Sequence, residues 1–331
     1  CVRFALENNI KFKQQQLNSE YAGNNLLQSK MSLLPTINAS AAQSKSFGRA
    51  LDQTTYTFTQ NQTITSLSSS VNANLVVFNG LQKINLIRQS RFDLMASLQQ
   101  LEKLKNDLAL NVAAAYLQIL FNMELLNSAQ QQAEVTRQQV ERTAKLVDAG
   151  SLPMGNLLEI QAQHATEEVQ IVNYQNQLDI SHLTLAQLLE LKDTEGFRIE
   201  IPDFSDFQFK EVLDPVADIY QDALRNLPQI KIAEYQLKSS EAGLSVARGG
   251  RSPRLFIAAS YGTGYSDIRQ RIIVTTPQTI PIGATQGGEL VYSQIEQPIY
   301  DTYPLKMQLK DNASTTLTFG LSVPLFNGWS V

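Results

Sequence analysis

From Leu81 to Val147 the chain runs for 67 residues without a proline or a glycine. As a single helix this stretch is about 100 Å long at a rise of 1.5 Å per residue, and any fold must accommodate it. Leu94, Leu98, Leu101, Leu104 and Leu108 lay an apolar stripe along its upper half. Beyond them Leu126, Ala129, Ala133, Thr136, Val140, Thr143 and Val147 recur in alternating steps of three and four, the coiled-coil period. A returning helix offers Leu158, Ala162, Ala165, Val169, Val172 and Asn176 as its seam. Small residues on both seams let two backbones approach closely. The turn between the helices spans Asp148 to Asn156. Gly150 suits the left-handed position that ends a helix, and Asn156 with Glu159 reads as an N-cap with its capping-box partner. A helical hairpin this long cannot bury its stripe as a lone pair, so it needs neighbours.

The remainder of the chain is organised by an internal repeat. At an offset of 218 residues Ala5, Leu6 and Asn8 fall on Ala223, Leu224 and Asn226, Lys13 falls on Lys231 and Pro35 on Pro253. At an offset of 248, Val71, Ala73, Leu75, Val77 and Phe78-Asn79-Gly80 fall on Phe319, Leu321, Val323, Leu325 and Phe326-Asn327-Gly328. Each copy reads as a helix, a proline stop and two alternating segments. The expected first repeat covers 1–192, with a helix over 1–33, a strand pair at 36–46 and 69–79, and the helical hairpin at 81–192. An equatorial segment follows at 193–213. The second repeat covers 214–331, with a helix interrupted near Pro228 and a strand pair at 254–264 and 315–326.

In the strands Val71, Ala73, Leu75 and Val77 alternate with Asn72 and Asn74, and Leu317, Phe319, Leu321 and Val323 alternate with Thr318, Gly320 and Ser322. At about 10–11 residues each segment can cross a membrane as a tilted strand. Alone, such strands would equally fit a soluble sandwich with its polar face in water. Four strands cannot close a barrel, and an open edge facing lipid leaves its N–H and C=O groups unsatisfied. A membrane-spanning chain of this kind must therefore oligomerise. Two copies make eight strands, filled by side chains; three make twelve, wide enough for a lumen, and a polar strand face favours three.

Composition excludes several classes. The net charge is −4 and no basic run stands out, which removes nucleic-acid binding. Charged residues are only 18%, and Gln, Asn, Ser and Thr take their place, as on the wall of a water-filled pore. Cys1 is the one cysteine, so no disulfide framework forms within the chain. The repeat places Cys1 opposite Ile219, inside an amphipathic helix, as a packing thiol in preference to a lipidated one. No 18-residue apolar run suggests a transmembrane helix.

Ala5-Leu-Glu-Asn-Asn9, the Leu-Leu-Pro35 stop, Leu75-Val-Val-Phe-Asn-Gly80 before a very long helix, Ala149-Gly-Ser-Leu-Pro-Met-Gly-Asn-Leu-Leu158, Ala223-Leu-Arg-Asn-Leu-Pro228 and Val323-Pro-Leu-Phe-Asn-Gly328 resemble the outer-membrane efflux protein (TolC-like) family in their order along the chain. The resemblance implies a fold that is mainly α with membrane β-strands, a protomer of long helical hairpin plus four amphipathic strands. It implies a homotrimer with a twelve-stranded barrel in outer-membrane lipid and a helical tunnel across the periplasm, with no cofactor. Gly196 to Pro215, with Ile199, Ile201, Phe204 and Phe207, would supply part of an equatorial belt. Residues 47–68 and 265–314 would be loops outside the cell. Gly150, Ser151 and Leu152 would form the periplasmic tip that meets an adaptor protein and, through it, an inner-membrane pump, with Arg142 and Asp148 assisting electrostatically. Leu152 could equally pack on its own helix turn. The second helical hairpin, which carries the family's gating carboxylates, is missing after Gly328, so a whole protein of roughly 440 residues is expected from equal repeats.

No grouping of residues argues for catalysis. His164 and His182 are five helical turns apart, about 27 Å, too far to share a metal. Gly249-Gly250 and Gly262-x-Gly264 lack the context of a phosphate loop. The expected function is a passive exit duct of a tripartite efflux or type I secretion system. The alternatives are a surface coiled-coil fibre, which would need no Pro/Gly turn and no paired strands, and a soluble helical scaffold.

Overall fold

A computed structural model describes residues 1–51, 58–193, 196–201 and 215–326. In chain order the elements are α1 (Val2–Asn8), α2 (Ile10–Met31), β1 (Thr36–Leu51), β2 (Phe58–Asn79), α3 (Gln82–Asp148), α4 (Met154–Leu188), α5 (Val216–Asn226), α6 (Pro228–Gly249), β3 (Arg254–Ser266), β4 (Gln270–Ala284), β5 (Leu290–Thr302), α7 (Leu305–Asp311) and β6 (Ser314–Ser322). They form two compact units, one of Cys1–Leu27 with Ile87–Ala242 and one of Gln28–Leu86 with Gly243–Val331.

The first unit is helical. Its core is a cluster of Ala5, Leu108, Val112, Ile119, Leu185 and Leu189, onto which Phe197 and Ile199 pack. α3 is 67 residues long because nothing in it breaks the backbone ladder. It contains a stretch long and apolar enough to cross a membrane by composition, contrary to expectation, but Val112 and Ile119 lie buried in the core cluster. Where α3 meets α2 and α6 the contacts are small and polar: Ser19 Oγ lies 3.0 Å from Ser97 Oγ, and Ser239 Oγ donates to Asp93 at 2.5 Å.

The N-terminal helix expected as one piece is two. Asn9 leaves the helix at ψ 124° and its side chain accepts from the Phe12 N–H at 3.1 Å, capping α2. At the repeat-related position, Leu227 leaves α5 at ψ 125° and Pro228 opens α6. Two different chemistries make the same break. Cys1 is not packed as expected; it is exposed, at the N-cap of α1.

The second unit is a four-stranded antiparallel sheet in the order β1-β2-β3-β6. β1 and β2 run for 16 and 22 residues, well beyond the expected pair, because the Ser/Thr-rich segments past Gln43 keep pairing with each other. β6 stops at Ser322, two residues before Pro324, whose ring has no N–H for the ladder.

The segment 265–314, expected as a loop, holds a second sheet, the β4–β5 ribbon. Ile272-Ile273-Val274 and Val291-Tyr292 are strand formers, while Pro277, Pro281 and Pro298 look like breakers. A two-stranded ribbon consists only of edges, where proline is tolerated. The short helix α7 returns the chain to β6. Its Gln308 is fully buried: Nε2 donates to the carbonyls of Ser266 (2.9 Å) and Tyr303 (2.7 Å), and Oε1 accepts from the Ser266 N–H (3.0 Å). One turn on, Asn312 Nδ2 donates to the Gly264 carbonyl at 2.7 Å. These amides replace ladder bonds for β3 beyond Gly262, where β6 has not yet begun.

Candidate functional site

The sheet sorts its side chains by parity. On one face Ile37, Val71, Leu255, Tyr261, Leu317, Phe319 and Leu321 are all exposed, with Phe319 at 70%. On the other face lie Ser40, Ser44, Ser66, Ser70, Asn72, Thr316 and Thr318. Its hydroxyls pair across strands: Ser40 with Ser70 at 3.0 Å and Ser44 with Ser66 at 2.7 Å. Between Thr36 and Gly48 on β1, and across the matching stretches of β2, β3 and β6, the only charged side chain on this hydroxyl face is Arg254, at the end of β3. A Cβ on Gly320 would meet the Phe256 ring at 2.1 Å, so any side chain there would have to displace the aromatic. A greasy face without cover and a hydroxyl face whose one charge sits at its end suit a wall between lipid and water. Among the described residues, the outer edges of β1 and β6 have no partner strand.

Where β2 hands over to α3, Gly80 has φ +66° and a Cβ there would lie 2.3 Å from the Gly249 carbonyl oxygen. Gly249, at the end of α6, in turn faces the Gly80 carbonyl oxygen at 2.5 Å from its own Cβ position. Two backbones cross in contact. Gly80 entered the sequence reading only as part of a motif and Gly249 only as a glycine without the context of a phosphate loop; nothing in their spacing says that they touch.

At the other end of α3, Gly150 (φ +72°) closes the helix as expected: its N–H donates to the Val147 carbonyl and that of Ser151 to Leu146, both at 2.9 Å. Open space surrounds it, so conformation and not crowding calls for glycine. Ser151 is exposed and Leu152 half-buried. These three residues are consecutive at the turn, with Arg142 and Asp148 exposed close by in sequence. Asn156 is not the N-cap. α4 starts at Met154 after Pro153 (φ −71°, ψ 150°), and no side chain caps it. The ring of Pro153 presets the entry angle and displaces the expected start.

The seam of α3 lies where its heptad places it: Leu126, Ala133 and Thr136 are buried, and Ala129, Val140, Thr143 and Val147 are half-buried. Leu98 is an exception at 44% exposed, with Ala96 buried instead. The seam of α4 is different from the one expected. Leu158, Ala162, Ala165, Val169, Val172 and Asn176 are all exposed. The covered positions are Leu157, Ile160, His164, Glu167, Ile171, Tyr174, Leu178, Ser181 and Leu185, again in steps of three and four. One hydrogen bond along this seam runs from Asn122 Nδ2 to the Gln177 carbonyl at 3.3 Å.

Charge is paired locally around Arg137. Arg137 bonds Glu134 at 2.7 and 2.8 Å and Glu141 at 2.5 Å. The Arg137 guanidinium, and then Gln138, hold the exposed Glu134 carboxyl down at about 2. Glu167 lies below its ordinary value through the Thr136 hydroxyl first and Gln163 second. His182 sets its ring edge on Phe197, at 6.4 Å between centroids, and His164 lies 3.8 Å from Glu168. Among the described residues no three His, Cys, Asp or Glu side chains gather closely enough to hold a metal. Of the expected belt, Ile199 packs on the core and Ile201 is exposed, while Phe204 and Phe207 lie outside the described residues.

A family model described as "Outer membrane efflux protein" matches residues 2–190. The fusaric acid resistance protein FusA of Burkholderia cepacia is 26% identical over 212 residues, 62% of this chain and 37% of that protein. The Campylobacter jejuni CmeC outer membrane channel superposes with a TM-score of 0.75 at 17% identity, covering 99% of this chain and 61% of the channel. The open-state Neisseria gonorrhoeae MtrE outer membrane channel gives 0.72 at 17%, with 99% and 63% covered. The chain thus spans 37% of the length of FusA and less than two thirds of either channel.

Proposed function

Given that the chain belongs to the outer membrane efflux protein family, we propose that it is part of a protomer that joins identical copies into an exit duct. Its fold is that of outer-membrane channels, and its place is the outer membrane, extending into the periplasm. The sheet carries the functional reading: an uncovered apolar face, a hydroxyl face charged only at Arg254, and two edges unpaired among the described residues. An unpaired edge in hydrocarbon costs several kcal/mol per unsatisfied group, which neighbouring copies remove. A homotrimer brings twelve strands together, enough to enclose a lumen. In that reading the duct performs no chemistry; residues 1–192 and 214–331 are two copies of one unit joined by 193–213.

At the hairpin turn, Gly150, Ser151 and Leu152 meet a periplasmic adaptor protein coupled to an inner-membrane pump, completing a tripartite efflux or type I secretion system. The half-buried Leu152 at an exposed turn supports this reading, since it gains from a partner that covers it. A surface fibre is not supported: a fibre needs neither the turn at Gly150 nor two pairs of two-faced strands.

Leu152→Glu in the full-length protein is the test of the tip. Export is expected to be lost, with the trimer and its single-channel conductance in lipid unchanged. Normal export in that variant removes the tip from the mechanism. A wild-type protein that extracts from membranes without detergent and carries no conductance overturns the duct itself.

A further inference from the structure

The pairing registers of the sheet carry information about a contact that one chain cannot show. Partner numbers add to 110 between β1 and β2 (Thr36 with Asn74) and to 576 between β3 and β6 (Arg254 with Ser322). The difference, 466, is 218 plus 248, the two offsets of the internal repeat. The two hairpins therefore pair in the same register, residue for residue. The middle contact, β2 with β3, has partners that add to 332, as in Ser70 with Gly262. Its repeat-related counterpart joins the equivalent of β2, which is β6, to the equivalent of β3, which is β1. Among the described residues that contact is not made, because β6 and β1 are the two outer edges of the sheet.

We propose that the free edge of β6 pairs, antiparallel, with the free edge of β1 in a second copy, with Thr318 opposite Ser44 and Phe319 opposite Gln43. These positions follow from Ser70 paired with Gly262 and from Val71 paired with Tyr261 by the same two offsets. The proposal rests on the reading that identical copies join edge to edge, and adds which residues meet.

The register also fixes which side chains meet on each face. Odd residues face odd residues, with Leu321 opposite Ala41, Phe319 opposite Gln43 and Leu317 opposite Lys45, where a one-residue slip would invert every side chain of the strand. On the polar face the register sets hydroxyl against hydroxyl: Ser322 with Ser40, Thr318 with Ser44 and Thr316 with Ser46. Within the chain Ser40 and Ser44 already bond Ser70 and Ser66. The second copy thus prolongs an existing ladder of the kind that stabilises cross-strand pairs.

Cysteine pairs in the full-length protein, with Cys1→Ser to remove the native thiol, test this in isolated outer membranes under oxidation. Thr318→Cys with Ser44→Cys and Phe319→Cys with Gln43→Cys sample both the closely and the widely spaced kind of antiparallel pair. One of them is expected to give covalent multimers about tenfold above Thr318→Cys with Ala42→Cys or Ser46→Cys, because a two-residue offset separates the Cα atoms by about 7–8 Å, beyond disulfide reach. Ser40→Cys with Ser70→Cys serves as the internal control. Cross-linking that peaks at an offset pair overturns the register and leaves edge-to-edge joining intact. A closed control with no interchain product at any pair, in membranes that hold the oligomer, overturns the pairing of these edges. A chain that stays monomeric in the membrane sinks the duct reading as well.

Discussion

The two helices of the hairpin carry similar heptads to different ends. α3 buries the stripe of Leu126, Ala133 and Thr136, while α4 leaves Leu158, Val169 and Val172 in the open, at 57%, 61% and 58% exposed, and buries Ser181 and Leu185 instead. α4 thus has two seams offset around the helix. One carries bulky and polar residues (Ile160, His164, Glu167, Tyr174) and is used within the chain; the other is small and aliphatic and is not. A single-seam helix is satisfied by a single partner. A helix with two seams has room for a second neighbour, as the wall of a helical duct requires.

The comparison can be broken most directly at its buried side. Ile119 is fully buried in the core cluster, and Ile119→Ala is expected to cost about 2–5 kcal/mol, read as a lower denaturation midpoint in detergent. A loss well under that range would mean that the α3 seam does not hold the helices together. On the open side, Val169→Ser with Val172→Ser is expected to change the stability of the chain by about 0.5 kcal/mol or less. The same pair should weaken the oligomer on native gels; a cost equal to that of Ile119→Ala would show the second seam already filled within one chain. The smallest effect concerns charge. Arg137→Ala should return the Glu134 carboxyl from about 2 towards its ordinary 4.5, measurable by carboxyl titration in NMR spectra of the hairpin. Because the folded value is depressed, this stabilising contribution is present above about pH 4.5 and disappears as pH falls towards 2. A Glu134 titration unchanged by the substitution would assign the shift to Gln138 instead.

The same contrast explains what was legible. The seam of α3 could be read because its lower half offers one stripe of small and apolar residues. That of α4 could not, because periodicity identifies seams but not which partner covers each, and size alone favoured the wrong one. Strand alternation was legible at Val71–Leu75 and Leu317–Leu321, where one face is apolar and the other polar. The β4–β5 ribbon was not, since prolines that exclude a central strand say nothing against an edge. At the tip, Gly150 was legible because a helix end needs a left-handed residue. The start of α4 was missed because Pro153 sets the entry before Asn156 can. The touching of Gly80 and Gly249 is a tertiary fact with no local signal, and so is the use of Gln308 in place of a strand.

The hydroxyls that pair across the sheet differ from carboxylates or ammonium groups in what they offer a passing solute. Each can turn to donate or to accept, and none carries a fixed charge for a counter-ion to rest on. In the proposed duct, a wall of such hydroxyls favours neither sign of charge along the stretch between Thr36 and Gly48, and Arg254 alone marks its end.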